Sequence, residues 1–194
     1  MTENERNINP ALVTMVAGND LLPLIKACRA NDRKAQRKFY DHYAPLIFGI
    51  IRRYTSNLEA AEEIHSAAFY RIFKSLDQYR FEGSFEGWMR KTTVNVLSDH
   101  FRKSHPNNTS LGEDAEDIPA CADQSGPSKM AYKDLLQLIQ QLPDTQRTVF
   151  NLFVFEEYAH KEIADLLGIQ ENNSRWHLND ARRRLKEQII VNNR

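Results

Sequence analysis

Residues 160–169 read His160-Lys161-Glu162-Ile163-Ala164-Asp165-Leu166-Leu167-Gly168-Ile169, and a second helical pattern begins at about Glu171. Small Ala164, turn-forming Gly168 four residues later, and apolar Ile169 and Leu178 have the spacing of two helices crossing at a tight turn. Ile169 and Leu178 then anchor the second helix inward. Asn173, Arg175, Trp176, His177 and Arg182 are left able to face a DNA major groove, where Asn and Arg read base edges through paired hydrogen bonds. Arg182, Arg183, Arg184 and Lys186 continue the same helix and suit phosphates. A plain helical hairpin with a basic exposed face is the alternative; the combined spacing favours the DNA-reading helix-turn-helix.

Upstream of this unit, Leu135, Leu138, Ile139 and Leu142 form one helical stripe. Pro143 suits the first turn of the next helix, whose core positions are Val149, Phe150, Leu152 and Phe153. Residues 130–194 are therefore expected to form one helical domain. Before them, over 105–129, lie Pro106, Gly112, Pro119, Gly126 and Pro127 among five acidic residues, with few large apolar side chains. Such a composition cannot bury enough surface to fold, which predicts a flexible acidic linker.

Residues 19–104 read as a second helical bundle, preceded by a loose tail over 1–18. Leu21, Leu24, Ile25 and Cys28 suit a short helix, and Phe39, Tyr43, Leu46, Ile47, Ile50 and Tyr54 a longer one. Asn57 can cap the next helix, with Glu59, Glu62 and Glu63 near its positive end. A fourth helix is expected from about Ser84. Just before it, Tyr79, Phe81, Phe85 and Trp88 crowd together among Arg80, Arg90, Lys91, Arg102 and Lys103. Aromatic faces among cations suit unstacked bases on a phosphate backbone, and Gly83 and Gly87 allow a tight turn. Phe85 and Trp88 share a helix face and are expected to be largely core, leaving Tyr79 and Phe81 as the exposed rings.

The fold class is thus all-α: two helical domains on one chain. The 194 residues carry 26 basic and 26 acidic side chains. Zero net charge argues against a protein that coats nucleic acid by bulk charge. The charge is segregated, however: basic over 31–57 and 171–194, acidic over 106–135. No apolar run reaches membrane-spanning length and no signal peptide is evident, so no membrane insertion is expected. Two distant cysteines suit a reduced, cytoplasmic protein. The six histidines are scattered without ligand spacing, and neither a phosphate-binding glycine loop nor a zinc-protease motif occurs. No enzyme activity, cofactor or metal is expected.

Four phrases, in order, resemble the RNA polymerase sigma factors of the extracytoplasmic function (ECF) subgroup: AAEEIHSAAFYRIF (60–73), YRFEGSFEGWMRKTTVNVLSDHFRK (79–103), LPDTQRTVFNLFVFEEYAHKEIADLLGI (142–169) and DARRRLKEQI (180–189). Residues 24–103 are similar to sigma region 2 and residues 132–187 to sigma region 4. The resemblance implies binding to the polymerase core, recognition of the minus-ten and minus-thirty-five promoter elements, and promotion of DNA melting. It implies that the helix carrying Glu62, Glu63, Ile64, Ser66, Phe69 and Arg71 docks on the polymerase. The loop Tyr79, Arg80, Phe81, Glu82, Gly83, Ser84 and Phe85 would capture a flipped minus-ten base, with Trp88, Arg90, Lys91 and Asn95 beside it. Asn173, Ser174, Arg175, Trp176, His177, Arg182 and Arg183 would serve the minus-thirty-five element. An anti-sigma partner, a monomeric free state, and domains that pack together when inhibited and part on the polymerase are further implications.

The sequence departs from the family pattern in two places. Ser66 and Ala67 replace the usual Gln and acidic residue of the docking helix, predicting weaker docking. Asn172, Asn173 and Ser174 replace Gly-Thr-Val, so Ser174 is expected to bond a backbone carbonyl instead of anchoring the helix. The alternative function is a sigma-like DNA-binding regulator or decoy that lacks polymerase docking.

Overall fold

Asp32, Asn57 and Ser84 each begin a helix by giving a side-chain oxygen to backbone N–H groups that have no partner within the helix. Asp32 accepts from Lys34 and Ala35, Asn57 from Ala60, and Ser84 from Gly87. The computed structural model describes residues 18–105 and 132–192. But for Gly18 and His105, the expected tail and acidic linker lie outside the described residues.

The first half holds α1 (Gly18–Arg29), α2 (Arg33–Tyr54), α3 (Leu58–Ser75), a 3₁₀ turn (Leu76–Gln78) and α4 (Phe85–Ser104). The second holds α5 (Tyr132–Gln140), α6 (Asp144–Val154), α7 (His160–Leu167) and α8 (Glu171–Asn192). The described residues contain no strand.

Helices α2, α3 and α4 enclose the first core. Phe39, Ile47, Ile51, Ala61, Ala68, Ile72, Met89 and Val94 have no exposed surface. The Phe39 ring touches those of Tyr43, Phe69, Phe73 and Phe85, so its truncation to Ala would cost about 3–5 kcal/mol. In the second half, Val149, Leu152, Ile163, Leu167, Ile169 and Leu178 hold α6, α7 and α8 together and join the first core in one continuous apolar cluster. Leu138, Ile139 and Leu142 of α5 pack on Ala181 and Leu185 of α8. Gly168 ends α7 at φ 69°, the left-handed value that glycine adopts without strain, and Ile169 and Leu178 are buried as their spacing predicts. Pro143 sits one position before the first turn of α6, as its N-cap.

The two halves touch. The last carbonyls of α2 have no partner in their own helix, and polar side chains of the second half fill that need. Gln140 Nε2 donates to Arg52 O (2.7 Å), Asn151 Nδ2 to Arg53 O (2.9 Å) and Arg147 Nε to Tyr54 O (2.7 Å). Arg147 is buried and also donates to Gln140 O (2.9 Å) and Leu142 O (3.1 Å) and pairs with Asp144. Arg53 in turn pairs with Glu156 at 2.6 Å and lies over the Phe155 ring.

Candidate nucleic-acid interface

The chain between the 3₁₀ turn and α4 is short, and its aromatic residues divide. Tyr79 is buried: its ring contacts Phe85 and Trp88, and its hydroxyl donates to Gly83 O at 3.0 Å. This corrects the expectation that Tyr79 is exposed; the hydroxyl finds a partner within its own loop, so the ring can be buried without stranding a polar atom. Phe85 is core, as expected. Trp88 is only half-buried, stacked on Phe85 with ring centres 5.6 Å apart.

Phe81 is different. Its ring is 42% exposed and its backbone sits at φ 61°. A bulky residue seldom takes that conformation, and it persists only where the surroundings enforce it. Gly83, at φ 75°, completes the turn. Exposed beside Phe81 are Arg80, Glu82, Ser84 and Lys91. Asn95 is half-buried on α4. Arg90 is also half-buried and lies 3.5 Å from Glu156 of the second half. The Glu156 side chain is 1% exposed between Arg90 and Arg53. A cleft of about 290 Å³ at this junction is lined by Gly87, Arg90, Lys91, Glu156, Glu157 and Glu162. Acidic side chains of the second half therefore face the cations of α4.

On α8 the polar residues also divide. Arg175, Arg182 and Arg183 are exposed and Trp176 is half-buried. Asn173, Ser174 and His177 are buried, which corrects the expectation that Asn173 and His177 face outward. The Ser174 hydroxyl meets His160 Nδ1 at 2.9 Å, where a backbone carbonyl had been expected to receive it. His177 has no hydrogen-bond partner on either ring nitrogen, nor does Asn173 on its amide nitrogen. Burial pushes the His177 pKa down to about 4, against the opposing charge of Asp180. His177 is thus neutral at pH 7. Asp180 is almost fully buried and accepts from Gln146, Arg183 and Arg184; the two arginines hold its carboxyl below the usual range against its burial.

The sequence-based candidates for the groove-facing side left out Asn172, which is exposed, and Asn179, which is half-buried on the same helix. Helical phase was the available signal: Asn172, Arg175, Trp176, Asn179 and Arg182 recur at three- and four-residue intervals.

On α3, Glu62, Glu63, Ser66 and Arg71 are exposed, while Ile64 and Phe69 are buried. Ile64 and Phe69 therefore pack into the bundle beneath the exposed face of the helix. The Ser66 hydroxyl turns back to Glu62 O, and Arg71 pairs with Asp99 at 2.8 Å. Tyr70, 68% exposed, was not singled out from the sequence. With Glu63, Ala67, Arg71, Lys74 and His100 it lines a groove of about 540 Å³ between α3 and α4. Among the described residues, no cluster of three His, Cys, Asp or Glu side chains could hold a metal. No described helix is long and apolar enough to cross a membrane.

Comparison with known proteins matches residues 39–106 to sigma-70 region 2 and residues 132–185 to sigma-70 region 4, together more than half of the chain. Among curated proteins, the chain is 25% identical over 155 residues to the RNA polymerase sigma-H factor of Pseudomonas aeruginosa, covering 74% of this chain and 80% of that one. It is 27% identical over 176 residues to the ECF RNA polymerase sigma factor SigW of Bacillus subtilis, covering 85% and 94%. Among solved structures, it is similar to the sigma factor RpoE of Bartonella quintana, crystallised with the anti-sigma factor NepR. There the TM-score is 0.48 at 17% identity, covering 80% of this chain and 96% of that one.

Proposed function

The chain belongs to the sigma-70 family of RNA polymerase sigma factors, in its ECF subgroup, and we propose that its two halves read separate promoter elements for the core polymerase. The exposed, left-handed Phe81 ring carries this reading most directly. A base leaving the minus-ten duplex stacks on that face, while Arg80 and Lys91 hold the backbone. Glu82, Gly83 and Ser84 shape the loop, Tyr79, Phe85 and Trp88 support it from beneath, and Asn95 lies further along the same helix. The stacked base is lost to its partner strand, which promotes melting.

Arg175, Trp176 and Arg182, together with Asn172 and Asn179, form the outer face of α8 and address the minus-thirty-five element. Arg183 serves its phosphates. Asn173, Ser174 and His177 lie on the inner face, where Ser174 ties the helix to His160 of α7. The polymerase docks on α3 through Glu62, Glu63, Ser66 and Arg71, with Tyr70 added as an exposed aromatic contact. Sigma factors are initiation factors and not enzymes, so the phosphodiester chemistry belongs to the polymerase.

The described arrangement is a closed one. Glu156 holds Arg90, whose guanidinium is needed by the minus-ten strand, so promoter binding requires the halves to part. Docking on the polymerase supplies the energy for that step. A cytoplasmic location, a free monomer and an anti-sigma partner belong to the same proposal, following the family relationship.

Run-off transcription with purified bacterial core polymerase, this protein and fragmented genomic DNA from its source tests the reading. Discrete start sites sharing a pair of upstream elements are expected. Silence with an active core would favour a sigma-like regulator without docking, and Ser66 and Ala67 would be the first residues to exchange.

A further inference from the structure

The left-handed backbone at Phe81 needs something to hold it, and the holder comes from another helix, α1. Arg29 is the last residue of α1, ten positions before the region 2 match begins at residue 39. Its guanidinium donates twice to Leu76 O, from Nε at 3.1 Å and from Nη2 at 2.8 Å, and once to Tyr79 O at 2.6 Å. The two carbonyls bracket the end of the 3₁₀ turn. Asp77, inside that bracket, lies 3.6 Å from Arg29 Nε. The same guanidinium lies over the Phe81 ring, 5.0 Å from its centre. One planar cation thus fixes the start of the loop through its edge and the ring of Phe81 through its face, a combination that suits arginine and not lysine.

We propose that Arg29 is a positioning residue for promoter melting: together with the Tyr79 ring, 5.1 Å away, it holds Phe81 in the base-accepting pose and leaves the exposed part of the ring for a base. The inference rests on the reading of Phe81 as the base-stacking residue. It makes α1 a working part of the melting apparatus. In Arg29→Ala the loop keeps its sequence but loses three charge-assisted hydrogen bonds and the cation on the ring. The fraction of productive Phe81 poses then falls by at least tenfold, since a single hydrogen bond from a charged group is worth about that much.

The test uses holoenzyme assembled from core polymerase and full-length protein, on a promoter obtained by run-off transcription. Permanganate reactivity of minus-ten thymines reads melting. Core affinity, closed-complex binding at low temperature and the thermal midpoint of the free protein are measured alongside. For R29A, at least tenfold less thymine reactivity is expected, with core affinity and closed-complex binding unchanged and a lower thermal midpoint that still leaves the protein folded at the assay temperature. R29K should recover less than half of the loss, and R29A/F81A should melt no worse than F81A. Normal melting in R29A while F81A fails would overturn the role of Arg29 and leave the base-stacking reading intact. Normal melting in both variants would overturn that reading and this inference with it. Loss of core affinity or of closed-complex binding in step with melting, or full recovery of melting in R29K, would make Arg29 a structural or a merely charged residue and overturn the proposal.

Discussion

The Tyr79–Phe85 loop and helix α8 both expose polar and cationic side chains, yet they present them by opposite means. The loop turns through a left-handed residue to push one ring outward, and α1 must brace it. Helix α8 is regular; its outer side chains are set by phase alone, and its inner polar residues are buried, Ser174 and Asp180 hydrogen-bonded and His177 without a partner. The two also differ in access. The cations of α4 behind the loop face Glu156 and its acidic neighbours, whereas Arg175 and Arg182 of α8 are exposed. A strained element is easily covered and uncovered, which suits melting; a rigid helix suits reading a duplex that stays closed.

This contrast can be broken first at Glu156. Glu156→Ala removes the acid from a buried pair and leaves Arg53 confined without it, which costs the closed arrangement about 3–5 kcal/mol. Small-angle X-ray scattering of the free protein should then give a larger radius of gyration than the wild type. An unchanged radius would mean that the contacts of Gln140, Arg147 and Asn151 with α2 suffice to hold the halves together.

His177 sharpens the inner side of α8. Its folded pKa of about 4 lies below the ordinary value of 6.5, so the unfolded chain binds the proton that the folded chain refuses. Stability therefore falls as pH drops from about 6.5 to about 4, by up to about 3 kcal/mol from this residue. Burial holds His65 and His160 low as well, which adds to the same slope. Thermal midpoints at pH 7.5 and 4.5 should converge in His177→Leu relative to wild type. An unaltered difference would show that His177 is not buried in solution.

Arg175 sharpens the outer side. Arg175→Ala should cost about 1–3 kcal/mol at one base position if the side chain reads a guanine, as measured by binding to a promoter mutant series. A uniform loss across the series would make it a phosphate contact. The smallest effect is expected from Ser174→Ala, which loses the bond to His160 and about 1 kcal/mol of stability. Its promoter preference should stay the same; a changed preference would place Ser174 among the base-reading groups.

Helix identity was legible because apolar spacing and caps agreed. Asn57 and Ser84 begin helices where the sequence puts them, and Gly168, Ile169 and Leu178 take their expected places. The loop was legible as a cluster but not ring by ring, because Tyr79 and Phe81 differ only through a hydroxyl bond and one unusual φ. Arg29 was invisible because it lies far from the loop in sequence. On α8 the polar character of Asn173 and His177 suggested exposure, and only helical phase against the buried Leu178 and Ala181 places them inside. The contact between halves had no sequence signal of its own. Arg147 and Asn151 lie among apolar residues of α6, and their partners are backbone carbonyls about a hundred residues earlier.

Hydroxyl-radical footprinting of the holoenzyme on its own promoter tests most directly whether the halves read separate elements. Two protected stretches are expected, the upstream one weakened by Arg175→Ala and the downstream one left in place, with Phe81→Ala doing the reverse. One continuous footprint that both substitutions weaken alike would contradict the division of labour between the loop and α8.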